Sequence, residues 1–474
     1  MTRTSCDHRT LSFVSSAHAT EVDYCRPTDQ QRVAATTVQG VIPTSKTKRL
    51  RTEVKVDDQI VNSSSFPAPL VLPGDDLSLD SRYPPQSLRA WMRSKDRNEI
   101  TQTKRVVYVA APPSMDSDVR LMHDWSLPLA KNDNSQVLIP PETGAIIDYL
   151  GAFYDGMSVK PLPYKPSFVK WGTTASKGSR SKTQTSPRYV GLTTSTESVR
   201  IRTRQSADRV FARQLNLDDL LDAAISMLPE DAYALLMLVN QDLYEDEDDV
   251  FVCGRAYGGS RVAVVSTARY NPILDSLQNV DRQHTWPTSH CESYLNECCA
   301  GASRPPAHKQ RQRKSRNRDV NNVNRNDRAT SSNTVLPDVN LEQVAVTALQ
   351  AAVSAHNALP SLVASPSSAA LIGLWLGRVC RTTSHELGHC FGIDHCVYYA
   401  CVMQGSSSLA EDGRQPPYLC PVDLAKLLRA TGSSPELHYN ALLQFCDKNG
   451  ESHLFAAFSA WIRGRLKELE CTYS

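Results

Sequence analysis

Apolar residues recur along the chain at two spacings, and the change between them marks out the elements. Residues 103–113 (TKRVVYVAAPP) are β-branched and apolar throughout, which predicts a buried strand. In 144–156, Ile146, Ile147, Leu150 and Phe153 fall at helical spacing and predict an amphipathic helix. Residues 159–164 read as a second strand, interrupted by prolines. A helix is expected over 217–228, with Asp218 and Asp219 in its first turn and Pro229 just past its end. Three strands follow at 233–244, 250–257 and 261–270, the last two separated by Gly258-Gly259. The two strongest helical patterns are 343–359 and 369–391, the latter with Leu371, Leu374 and Trp375 on its core face. Strands interleaved with helices predict an α/β sandwich with a mixed sheet.

Between these elements the pattern lapses. Residues 1–60 are polar and aperiodic, 173–188 form a Ser/Thr/Lys/Arg tract, and 279–337 contain a basic run followed by Asn and Asp. Such stretches offer too little apolar area to offset the entropy of ordering them. The expected organisation is a disordered tail (1–60), an N-terminal extension (61–102) and one main domain (103–474) carrying disordered insertions at 173–188 and 279–337. A net charge of +2 over 474 residues gives no global field directed at nucleic acid. No apolar run reaches the roughly 18 residues needed to cross a bilayer. The first twenty residues lack the continuous apolar core of a signal peptide. Thirteen cysteines without an export signal suggest reduced thiols and metal ligands, in a cytoplasmic or nuclear protein.

Chemistry concentrates in 385–403, HELGHCFGIDHCVYYACVM. His385 and His389, at i and i+4, project from one helical face and can offer two imidazole nitrogens to one ion. Glu386 sits beside the first ligand, placed to accept a proton from a zinc-activated water. Gly392 permits a sharp turn, because glycine takes positive φ at little cost, and the turn can return His395 as a third ligand. Met403 follows where a Met-turn would pass beneath the site.

HExxHxxGxxH with a downstream methionine resembles the metzincin metallopeptidases. The interleaved cysteines Cys396, Cys401 and Cys420 resemble, within them, the archaemetzincins. The resemblance implies a metzincin-like catalytic domain: a mixed twisted sheet, an active-site helix, a Met-turn and a helical C-terminal part. It also implies a catalytic zinc on His385, His389 and His395, with a second, structural zinc on four cysteines. The fourth of those positions is Asp423 here, so CxxC has become CxxD; Cys446 or Cys390 are the alternative donors. The implied activity is zinc-dependent hydrolysis of peptides or small proteins, with aminopeptidase action one form it can take; these residues do not distinguish exo- from endo-cleavage. Substrate is expected along the edge strand near 250–257. A zinc-bound scaffold without catalysis is the rival reading.

Two further features carry weaker signals. The basic run Lys309, Arg311, Arg313, Lys314, Arg316 and Arg318 (within 308–318) reads first as a solvated loop and second as an import signal, with nucleic-acid binding the weakest reading. His290-Cys291 with Cys298-Cys299 matches no zinc spacing.

Overall fold

The computed structural model describes residues 6, 8–42, 65–95, 97–129, 137–172, 187–195, 197–301 and 346–473. A five-stranded sheet forms the frame. Its order is Gly254–Tyr257, Val262–Ser266, Ala232–Val239, Val106–Ala110, Ser158–Pro161, with the first strand antiparallel at one edge and the rest parallel. Ala232–Val239 is buried along its whole length, as a parallel strand covered on both faces must be. Its side chains alternate between two cores. Ala234, Leu236 and Leu238 face the core under the motif helix, while Leu235, Met237 and Val239 face a second core around the helix Leu217–Ser226. The fold is therefore mixed α/β, as the alternating patterns predict.

The motif helix, Ser368–Cys390, lies across the first face. Ser367 caps its start by accepting from the Ala370 N–H, and Trp375 anchors it to the sheet by donating from Nε1 to the Thr267 carbonyl at 2.8 Å. Arg378 pairs with both oxygens of Asp275, and Arg381 with Asp412, all of them buried. Four helices follow the motif: Leu409–Arg414, Pro421–Thr431, Pro435–Lys448 and His453–Tyr473. Among the described residues no helix is long and apolar enough to cross a membrane.

Several expectations need correction. The stretch 233–244 divides into Ala232–Val239 and Asp242–Tyr244, which belong to different sheets. The break is fixed by buried Asp242, whose carboxylate pairs with buried Arg269. Only Gly254–Tyr257 of 250–257 is strand, and the stretch 261–270 ends as strand at Ser266. The second sheet, of six strands (Ser114–Met115, Ser167–Lys170, Tyr189–Thr193, Ser198–Gln205, Arg213–Asn216 and Asp242–Tyr244), went unread because its strands are short and half polar. Much of the segment expected to be a disordered tail is ordered: Ala17–Glu21 and Asp29–Ala35 are helices, and Tyr24 and Arg26 bond the carbonyls of Val397 and Tyr398. Those contacts span more than 370 residues, so no local period could reveal them. Residues 279–301, expected within a disordered insertion, form two 3₁₀ turns and the helix Glu292–Gly301. The tract 173–186 and the basic run 308–318 lie outside the described residues.

Candidate metal centre

His385 and His389 lie one turn apart near the end of the motif helix, and the helix then stops abruptly. The Gly392 N–H bonds the His389 carbonyl (2.9 Å) and the Ile393 N–H bonds the Gly388 carbonyl (3.1 Å), the two hydrogen bonds of a Schellman ending. Gly392 holds φ +74, which glycine adopts without strain. Phe391 stacks on Tyr154 at 4.9 Å and fixes the exit. The chain doubles back, and His385, His389 and His395 come to offer ring nitrogens that all lie within 4.8 Å of one another.

The rings are oriented from behind. His385 Nδ1 meets the Val402 carbonyl and His389 Nδ1 the Ile393 carbonyl, each at 2.7 Å. A carbonyl only accepts, so each Nδ1 carries the proton and each Nε2 is left with a lone pair. Those two Nε2 atoms face each other at 3.1 Å. Two lone pairs at that distance repel unless a cation lies between them. Tetrahedral zinc with Zn–N near 2.05 Å would set its imidazole nitrogens about 3.3 Å apart. Burial, with neighbouring imidazoles adding to it, lowers all three histidines to about 3, so they are neutral ligands at physiological pH. The donor set fits zinc.

Glu386 is buried beside His385, and burial pushes its carboxyl up to about 8, with Arg255 opposing and Asp412 adding to the shift. Arg255 stands on the edge strand Gly254–Tyr257, ion-paired to Glu245. The turn after that strand presses on the motif helix: a Cβ at Gly258 would lie within 3.0 Å of the His389 carbonyl oxygen. Met403 passes beneath, its sulfur 2.5 Å from where a Cβ at Gly388 would sit. Glycine at that position of HELGH is thus required by the Met-turn.

Sequence reasoning missed what the N-terminal extension contributes. A Cβ at Gly405 would collide with Asp76 Oδ2 and lie 2.8 Å from His395 Nδ1, so the Asp76 carboxylate and the third histidine meet over that glycine. Tyr83 packs its ring on His395 at 5.7 Å, and Gln86 donates to the Gly392 carbonyl at 2.9 Å. Nothing within 65–95 signals this role, because the partners are some 300 residues away.

A second cluster lies deeper. Cys396, Cys401, Cys420 and Asp423 are all buried and mutually within 4.8 Å. Cys396 Sγ is 3.5 Å from Cys420 Sγ, and Asp423 Oδ2 is 3.3 Å from Cys401 Sγ and 3.4 Å from Cys420 Sγ. Tetrahedral zinc would hold thiolates about 3.75 Å apart, so the set needs little adjustment to close on an ion. The other Asp423 oxygen accepts from Lys426 Nζ at 2.8 Å, with both side chains 1% exposed. Burial and the Cys396 thiolate push Asp423 up to about 7, and Lys426 opposes them. Against the upward push of burial, hydrogen bonds from Cys401 and Cys420 hold Cys396 well below the thiol range. Neither alternative donor, Cys390 nor Cys446, falls in the cluster.

The profile described as Peptidase family M54 matches residues 355–429, which hold both clusters. Over 70 residues the chain is 49% identical to "Archaemetzincin-2" of Macaca fascicularis, covering 15% of this chain and 19% of that protein. It is 39% identical over 79 residues to "Archaemetzincin" of Thermococcus kodakarensis, covering 17% of this chain and 41% of that protein. A solved archaemetzincin from Methanopyrus kandleri aligns with 70% of this chain and 99% of its own at 16% identity and a TM-score of 0.30. The archaemetzincin resemblance is therefore established over the motif region, and the chain spans about a fifth of the length of its animal relatives. The two neighbouring surfaces built by 65–95 and 254–260 fall outside the matched stretch.

Proposed function

We propose that the chain is a zinc metallopeptidase, with His385, His389 and His395 as the metal ligands and Glu386 as general base. The observation that carries this reading is the pair of Nε2 atoms facing each other at 3.1 Å with both Nδ1 atoms turned to carbonyls, an arrangement that a bound metal cation satisfies. Zinc held there supplies Lewis acidity for activating water and polarising a scissile carbonyl. Glu386 takes the proton from water and passes it to the departing amine. Its burial favours the protonated carboxyl, so proton delivery is the easier half of that task, and a dication held nearby would favour the ionised carboxylate that accepts the proton. The three histidines are half-buried, which leaves a side open to substrate, whereas the thiol cluster is closed. A peptide has a free strand to pair with at Gly254–Tyr257, the edge that sits against the motif helix.

Cys396, Cys401, Cys420 and Asp423 take a second zinc in this reading, fixing the segment around Met403 without joining the chemistry. The test is digestion of a diverse peptide library by zinc-loaded protein beside Glu386→Gln. Cleavage by the wild type alone, with equal zinc in both proteins, is expected, and the fragment ends separate amino-terminal trimming from internal cutting. Zinc binding without cleavage by either would instead support a scaffold.

A further inference from the structure

A third group of metal-ligating side chains lies outside both clusters and outside the matched region. Cys6, His8 and His284 each present a donor atom within 4.8 Å of the other two. Cys291 joins them from the start of the helix Glu292–Gly301, its sulfur 3.0 Å from Cys6 Sγ. Three donors converge where the amino-terminal arm crosses the 281–295 segment, and the Cys291 thiol adjoins them beside Cys6 without falling inside the mutually close set.

His284 is the strongest indicator. Its side chain is 5% exposed and stacks on Tyr294 at 4.2 Å with an interplanar angle of 7°, so the ring is fixed. Nδ1 bonds Asp281 Oδ2 at 2.8 Å, which places the proton on Nδ1. Nε2 is buried and has no hydrogen-bond partner. A buried lone pair without a partner is destabilising, and a bound cation removes that cost. A carboxylate behind a histidine whose far nitrogen lacks a partner is the arrangement that orients imidazole toward zinc. His8, also buried, holds φ 52, a conformation uncommon outside glycine.

We propose that Cys6, His8 and His284, with the adjoining Cys291 thiol drawn in as fourth ligand, form a structural zinc site that clamps the amino-terminal arm to the body of the protein. Two thiolates and two neutral imidazoles balance the dication, as a buried closed site requires. The Ser293 hydroxyl, 3.1 Å from Cys6 Sγ and 3.2 Å from Cys291 Sγ, remains to bond the thiolates. The arm is already laid in register there: Leu11 bridges Cys291, the Ser12 N–H bonds the His290 carbonyl (2.8 Å), and the Glu292 N–H bonds the Thr10 carbonyl (3.0 Å). Further along, the same arm carries Tyr24 and Arg26 to the loop after His395. The clamp thereby steadies the back of the candidate metal centre without touching it. Cys298 and Cys299 pack in the same apolar cluster as Cys6, Cys291, Leu70 and Tyr294 but do not fall in the donor group.

The test is zinc per chain by mass spectrometry on the 474-residue chain. Cys6→Ser and His284→Ala are each expected to lose one equivalent, Cys298→Ser none, and cobalt-loaded wild type to lose part of its thiolate charge-transfer band in Cys6→Ser. The wild type supplies a measurement independent of variant folding: zinc should shield Cys6 and Cys291 from N-ethylmaleimide, and a chelator should expose them. Unchanged zinc content in both variants, equal labelling with and without zinc, or a Cys6–Cys291 disulfide in the purified chain would each overturn the proposal.

Discussion

Adding one methyl group at Gly258 tests whether the edge strand and the metal helix are set against each other as described. A Cβ there would sit within 3.0 Å of the His389 carbonyl oxygen and 3.2 Å from its carbon. That carbonyl accepts from Gly392 N–H in the helix ending, so it cannot swing aside without opening the turn that presents His395. Ordinary contact would require the strand turn and the helix to separate by the better part of an ångström. Overpacking of that kind costs about 1–3 kcal/mol, and a ligand displaced by about 1 Å can cost about 10²-fold in turnover. Gly259 supplies the control: nothing lies within 4 Å of its Cβ position, and neither glycine has positive φ. Gly258→Ala should lower denaturant stability by about 2 kcal/mol and weaken zinc affinity, whereas Gly259→Ala changes neither. Urea unfolding and zinc titration of the two variants side by side decide it. Coincident curves would refute the packing argument and, with it, the placement of substrate on that edge.

Asp423→Ala should destabilise by about 3–5 kcal/mol, because it leaves the buried Lys426 ammonium without its counter-charge and with only the Gln86 amide oxygen to accept from it, and adding Lys426→Met should recover part of that loss. A single variant as stable as the wild type would contradict the buried pair. Cys401→Ser should lower zinc content and thermal stability while leaving the His385–His389–His395 geometry able to bind; full retention of metal and stability would sink the second-site assignment. His438, 2% exposed against Phe153, is lowered to about 4 by burial, so below pH 6.5 the unfolded chain takes up a proton that the folded chain refuses. Its contribution is complete above pH 6.5 and lost as pH falls toward 4, by about 2 kcal/mol at pH 5. His438→Gln should therefore show a flatter stability profile than the wild type between pH 7 and 5; equal slopes would exclude that account.

The sequence by itself determined the elements whose signal is local. The strand around Val107 and Val109 and the helices at 143–153, 217–226 and 368–390 follow from apolar spacing, and they appear within a few residues of their expected bounds. The metal motif was legible for the same reason: i, i+4 spacing, a glycine turn and the next histidine lie within eleven residues, so chain geometry alone can bring three imidazoles together. The grouping of Cys396, Cys401 and Cys420 with Asp423 was readable only through resemblance, since 27 residues separate its ends. Tertiary structure alone decided the rest. Asp76 and Tyr83 reach the third histidine, and Gln86 the turn before it, across some 300 residues, and Cys6 reaches Cys291 across 285. Ordered segments in 8–42 and 279–301 look disordered in sequence because their apolar and polar partners are supplied by other parts of the fold. Periodicity reports only which face of an element is buried. What buries it, and which distant side chain completes a site, is fixed by packing.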